Sequence, residues 1–212
     1  KVTHIITSKI EHHAVLHTVE QLVLDYEVEV SYVNLLENGC IDYLHLETLL
    51  KSTKKTLVSL MHINNEIGTI LDIQKVADLC QANNVLFHSD TVQSVGHYYI
   101  DVKETPIDFL VASAHKFHGP KGIGFAFIRK NSAIKSLIIG GTQERGIRAG
   151  TESIHDIVGL DEALALSYQF LEAENTQVKD LKLYFINQLM THIPCIKFNG
   201  VCSDSKQSTY TL

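Results

Sequence analysis

Short β-branched and aliphatic runs alternate with stretches of helical period along most of this sequence, and that alternation constrains the fold more than any other feature. Thr3 to Thr7 is a short β-branched run, the mark of a strand. From Ala14 onward, Val15, Val19, Leu22, Val23 and Tyr26 recur at helical spacing and trace one apolar stripe. Val28 to Val33 returns to the two-residue period of a strand. The same reading predicts a helix over 42–50, a strand over 56–61, a helix over 73–83 and a strand over 85–87. Strands follow over 109–112 and 122–128. Two long helices are then expected, over 153–174 and 177–193, with a short strand at 196–198. This order and these lengths predict an α/β fold on a mostly parallel sheet. Ligands bind beyond the carboxyl ends of the strands in such sheets. The polar clusters His62-Ile63-Asn64-Asn65, His88-Ser89-Asp90 and Ser113-Ala114-His115-Lys116 each follow a strand, so they are expected to meet at one edge.

Composition narrows the function classes. A hydrophobic share of 45% and a charged share of 20% supply a sizeable core and exclude a disordered chain. The net charge of −6 argues against a general nucleic-acid binder, and no apolar run reaches the ~18 residues of a membrane-spanning helix. Cys40, Cys80, Cys195 and Cys202 are scattered without a CxxC pair, which reads as reduced thiols in a cytoplasmic protein. Cys80 falls on the apolar side of its helix. His13 and His17 are one helical turn apart, but with no third ligand in register no metal site is expected. Gly119-Pro120-Lys121-Gly122-Ile123-Gly124 is not a nucleotide P-loop; it reads as a tight turn that lets backbone approach a ligand. The start lacks a Met and opens directly on a strand, and Ser208 to Leu212 reads as entering another. The chain is therefore expected to be a piece of a longer protein.

Two of the strand-end residues have complementary chemistry. A lysine held away from water beside another cation-capable group supplies a neutral amine, and such an amine attacks a carbonyl to form a Schiff base. Lys116, between His115 and Phe117, is placed for that. A carboxylate at the end of an earlier strand, Asp90, is suited to hold a heterocyclic nitrogen protonated. Lysine plus carboxylate on a pyridine nitrogen is the arrangement that pyridoxal phosphate chemistry needs.

The surrounding blocks carry a resemblance. Thr7-Ser8-Lys9-Ile10-Glu11-His12-His13-Ala14-Val15-Leu16, Met61-His62-Ile63-Asn64-Asn65-Glu66-Ile67-Gly68, His88-Ser89-Asp90-Thr91-Val92-Gln93-Ser94 and the run from Ser113 to Gly124 resemble the cysteine desulfurases. Glu144-Arg145-Gly146-Ile147-Arg148-Ala149-Gly150-Thr151 continues the match. These enzymes form the iron–sulfur assembly and nitrogenase-maturation branch of the class V aminotransferase-like enzymes, which depend on pyridoxal 5'-phosphate. The resemblance implies a fold type I transferase. Residues 1–170 would form most of the large cofactor-binding domain, with its N-terminal part missing, and 171–212 would begin a small C-terminal α/β domain.

Carried over, the resemblance implies that Lys116 binds the cofactor covalently and that Asp90 pairs with its pyridinium nitrogen. His12 is similar to the histidine that stacks on the ring. Asn65 and Gln93 would hydrogen-bond near the phenolic oxygen, and Ser113 and His115 would contact the phosphate. Thr151 would reach the phosphate of a neighbouring subunit, implying a homodimer. The implied reaction converts L-cysteine to L-alanine and passes sulfur, as an enzyme persulfide, to iron–sulfur scaffolds or other acceptor proteins. The nucleophilic cysteine loop and the substrate-clamping arginine of the family fall beyond position 212, so the chain alone is expected to be inactive. Thr91 stands where the family usually has Ala and would bring a hydroxyl near the ring face; Thr142 replaces a common Gly. A selenocysteine lyase, an aminotransferase or a non-catalytic interaction domain of the same fold are the alternatives.

Overall fold

The computed structural model describes residues 1–130, 132, 134–202, 204 and 207–209. Six strands form one sheet in the order β2-β1-β3-β4-β5-β6. They are β1 (His4–Thr7), β2 (Glu29–Tyr32), β3 (Thr56–Ser59), β4 (Leu86–Asp90), β5 (Phe109–Ser113) and β6 (Gly124–Ile128). The first five run parallel, and β6 pairs antiparallel with β5 as an edge. Connections between the parallel strands are made by α1 (His13–Tyr26), α2 (Tyr43–Leu50) and α3 (Ile73–Ala82).

Local sequence explains where these helices start and stop. Asp42 accepts from the backbone N–H groups of Leu44 and His45, and Asp72 from Lys75, so each carboxylate satisfies helix donors that have no intrahelical partner. α1 uses an imidazole instead: His12 Nδ1 accepts from Ala14 N at 3.1 Å. It ends at Glu27, whose left-handed φ of 54° turns the chain out of the helix.

Strand alternation divides the sheet into two faces. Ile6, Val58, Phe87 and Leu110 point to one face, where Leu46 and Leu50 of α2 and Val76, Ala77 and Cys80 of α3 cover them in the main core. Phe87 is fully buried there, and burial of a side chain of this size contributes roughly 2–3 kcal/mol. Cys80 is buried as its place in the pattern predicts, and burial pushes its thiol up to about 12. On the other face Ile5 packs with Val19 and Val28 beneath α1.

The C-terminal region departs from expectation. One helix, α4 (Ile154–His192), runs through 39 residues where two were predicted. Asn175 and Thr176 look like punctuation, yet Asn175 Nδ2 donates to His97 O at 2.8 Å and Thr176 Oγ1 donates to Glu172 O at 2.7 Å. Both polar side chains are thus satisfied without leaving the helix, and no Gly or Pro occurs between 160 and 192. The expected strand at 196–198 does not form, because no described strand lies beside it. Of the strand expected over 208–212, Ser208 makes a single antiparallel bridge with Thr69; 210–212 lie outside the described residues. At its start α4 packs Leu160, Ala163 and Leu164 against Val95, Ala112, Ala114 and Phe117, bracing the turn that follows β5.

Candidate active site

The carboxyl ends of β3, β4 and β5 and the N-terminus of α1 open onto one cavity of about 820 Å³. His12, Asn65, Asp90, Gln93, Ser113, His115 and Lys116 all line it. Seven of the eight residues singled out from sequence are therefore brought together, from segments up to a hundred residues apart in the chain. Thr151 is not among the lining residues and is exposed. It follows a loop tied into shape by Arg148, which donates to Gly150 O and Glu152, each at 2.7 Å.

Each side chain has a local reason for its place. Asp90 ends β4 and is only 8% exposed; its Oδ1 accepts from Val92 N at 3.0 Å, which turns the chain sharply after the strand. Gln93 sits in that turn and is half-buried. Asn65 is positioned by its neighbour Asn64, which is buried and whose Oδ1 accepts from Glu66 N and Ile67 N at 2.9 Å each. His12 is the N-cap of α1 and exposed at the cavity mouth. With Nδ1 accepting from Ala14 N, its ring proton belongs on Nε2.

Lys116 lies on a 3-10 turn, Ala114–Phe117. Residues three apart eclipse in such a turn, so Ala114 and Phe117 go into the core together and leave His115 and Lys116 outward. Lys116 is exposed at the rim, not held away from water as the sequence reading expected. Its backbone is nonetheless fixed: His97 Nε2 donates to Lys116 O at 2.8 Å, and Ser167 Oγ of α4 donates to Phe117 O at 3.3 Å. Thr91 also departs from expectation. It is fully buried, its Oγ1 donates to Val111 O at 2.7 Å, and it does not line the cavity. The hydroxyl is used up inside the sheet.

Two further lining residues were given no role from sequence: Ser59, and His88, which was named only within a strand-end cluster. Ser59 and His88 are partners in register on β3 and β4, and Ser59 Oγ lies 2.8 Å from His88 Nδ1. Burial holds the His88 imidazole below its usual value, with Asp90 pulling the other way, so the ring is neutral at neutral pH. The signal was available: His88 stands two residues before Asp90 in a strand, and i, i+2 residues share a face.

The donor set suits pyridoxal phosphate. A buried carboxylate, an amine, three imidazoles, two carboxamides and hydroxyls face one space of ligand size. The carboxylate matches a cationic ring nitrogen, the amine an aldehyde, and Ser113 with His115 a phosphate.

Comparison with known proteins agrees. The chain matches the family described as aminotransferase class-V over residues 1–212. It is 44% identical over 200 residues to the cysteine desulfurase IscS of Clostridium botulinum, covering 94% of this chain and 50% of that protein. It is 42% identical over 200 residues to the cysteine desulfurase IscS of Dictyoglomus turgidum, covering 93% and 50%. Among solved structures, a NifS-like protein superposes with a TM-score of 0.89 at 34% identity, over 99% of this chain and 56% of that one. DndA from Streptomyces lividans gives 0.85 at 30% identity, over 98% and 58%. The chain thus spans about half the length of the curated relatives it matches. Enzymes of this kind depend on pyridoxal phosphate. With the family matched from end to end and the sheet shared with the NifS-like structures, the chain belongs to the class-V aminotransferase family.

Proposed function

We propose that the protein to which this chain belongs is a cysteine desulfurase, which takes sulfur from L-cysteine and leaves L-alanine. The observation that carries the reading is the meeting of Lys116 and Asp90, with five further predicted residues, on one cavity at the strand ends. The curated relatives, which are named cysteine desulfurases, favour this reaction over other class V chemistry.

Bound in the cavity, pyridoxal phosphate supplies an electron sink for negative charge developing at the α-carbon of an amino acid. Lys116 would hold the group covalently, and its amine, once displaced by the amino group of the substrate, would be free to move the substrate's α-proton. Asp90 offers a buried negative charge to a protonated ring nitrogen. His12 would cover one face of the ring and presents Nε2–H to the cavity. Asn65, whose Nδ2 donates to Glu66 Oε1 at 2.8 Å in the structure, and Gln93 would hold the phenolic oxygen with their carboxamides, and Ser113 and His115 would donate to the phosphate. Thr151, exposed on its loop, completes the phosphate site of a second copy in a homodimer. Sulfur leaves the substrate carbon for a cysteine thiolate of the full-length enzyme, forming a persulfide that iron–sulfur scaffolds or other acceptors receive. Residues 1–170 belong to the large domain and 171–212 begin the small one. Cytoplasmic residence belongs to the same proposal, supported by four unpaired cysteines. No described helix is long and apolar enough to cross a membrane.

The test is release of alanine and sulfide from cysteine by the full-length protein in the presence of a thiol reductant. Lys116→Ala is expected to abolish turnover. Asp90→Asn is expected to keep some cofactor but to lose about 100-fold or more in kcat, the usual scale for a misplaced proton at a reacting centre. Unchanged turnover in Asp90→Asn contradicts the role given to that carboxylate.

A further inference from the structure

The two loops that bring His12 and Asn65 to the cavity are tied to one another in both directions. Glu11, 5% exposed, sends its carboxyl across to the segment after β3, where Oε1 accepts from Met61 N at 3.0 Å. The same oxygen accepts from Ser8 Oγ at 2.8 Å, which fixes the carboxyl within its own loop. Asn64 makes the reverse tie: its Nδ2 donates to Ile10 O at 2.7 Å. In each loop, then, one buried residue grips the backbone of the other loop, and the next residue in sequence faces the cavity. Glu11 precedes His12, and Asn64 precedes Asn65.

We propose that Glu11 is a positioning residue of the cofactor site, a buried carboxyl that locks the loop of His12 to the loop of Asn65. What the two positioned side chains hold rests on the reading of the cavity given above; the lock itself does not.

The protonation follows from the surroundings. Oε2 is buried and has no partner among the described residues. The charge that bears on the group is the like charge of Asp90 at the end of β4. On its other side lies a second cavity of about 580 Å³, shared with Cys40, Tyr43 and Asp72, which also offer no cation. Burial pushes the Glu11 carboxyl up to about 7; Asp90 adds to the rise and the two donated hydrogen bonds oppose it. Because the folded value exceeds that of the unfolded chain, this group's contribution to stability is complete below about pH 4.5. It is lost as pH rises through 7. A carboxamide in the same place keeps an oxygen for Met61 N and Ser8 Oγ and has no charge to bury.

The experiment uses the full-length protein, with and without pyridoxal phosphate. In the cofactor-free form, Glu11→Gln is expected to melt with the wild type at pH 5 and above it at pH 8. In the loaded form it is expected to keep the visible cofactor spectrum and an affinity within about twofold, whereas Glu11→Ala loses affinity about tenfold, the effect of one missing well-placed interaction. Should Glu11→Ala fail to fold, Ser8→Ala and Asn64→Ala each remove one tie and are expected to weaken affinity by about two- to fivefold. A Glu11→Gln protein that tracks the wild-type melting curve at every pH, or that loses cofactor as badly as Glu11→Ala at pH 6, overturns the lock. So does a Glu11→Ala protein with wild-type affinity and spectrum. Failure of the wild type to take up cofactor overturns the reading of the cavity instead, and the melting comparison still decides the lock.

Discussion

His62 and Glu11 are both buried polar residues of the loops at the strand ends, and burial moves their protons in opposite senses. His62 meets Tyr98 edge-on at 6.3 Å between ring centroids, and its Nδ1 has no partner among the described residues. Burial brings the imidazole down to about 4, with Asp72 opposing. Its folded value is below the unfolded one, so the stability it contributes is complete above about pH 6.5 and is lost as pH falls through 4. The predicted loss is up to roughly 3 kcal/mol across that window. Urea melts at pH 7 and pH 4.5 check it: His62→Gln should lose markedly less stability than the wild type between the two, and equal losses would refute the assignment. Glu11 acts in the opposite direction over an overlapping range, so each variant is to be read against the wild type at the same pH. At this scale the sequence was legible where a side chain had an intrinsic chemistry to suggest a ligand, as with Lys116 and Asp90; His12 was legible only through resemblance. The sequence was opaque where the role lies in a long-range tie. Nothing near Glu11 in sequence announces that its partner is the backbone of Met61, fifty residues on.

Elements were read well wherever hydrophobic period and caps agreed, as for α1, α2, α3 and the parallel strands. The failure at α4 shows the limit of local reading. Asn175 and Thr176 fall between the two expected helices, and the tertiary partner that satisfies Asn175 within one helix, the carbonyl of His97, is invisible in a local window. A single helix predicts that Thr176→Pro costs about 3 kcal/mol or more, since it removes a mid-helix donor and clashes with the preceding turn. Two helices parted at that point would tolerate it, and thermal melts of the full-length variant distinguish the cases. Gly96 tests the seating of the 3-10 turn in the same way. It holds φ at +82°, and a Cβ there would meet Cβ of Phe117 at 2.5 Å. Gly96→Ala is expected to cost roughly 2–4 kcal/mol from overpacking and left-handed strain. It should also weaken cofactor uptake, because displacing Phe117 displaces the turn that carries Lys116. A variant with wild-type stability would show that Phe117 does not fix this turn.

On the scale of the whole molecule, a parallel sheet with helices on its faces followed from the order of the elements alone, and with it the edge where ligands bind. The proposed covering of that edge by a second copy did not. Thr151 was legible only through resemblance, and it stands on exposed loop beside a bare apolar run: Leu137 and Ile139 are 92% and 90% exposed, and Ile138 O accepts from Ala149 N at 3.2 Å. The proposed homodimer would cover this surface. Leu137→Asp with Ile139→Asp is expected to shift the full-length protein from dimer toward monomer in sedimentation, with loss of cofactor; an unaltered dimer would place the interface elsewhere. The expectations about cofactor and turnover depend on Lys116 and Asp90 serving one bound ring. The most direct measurement is to load the full-length protein with pyridoxal phosphate, reduce it with borohydride and map the modified peptide. The account predicts a single label on Lys116, absent from Lys116→Ala; label on a different lysine, or none at all, would contradict it.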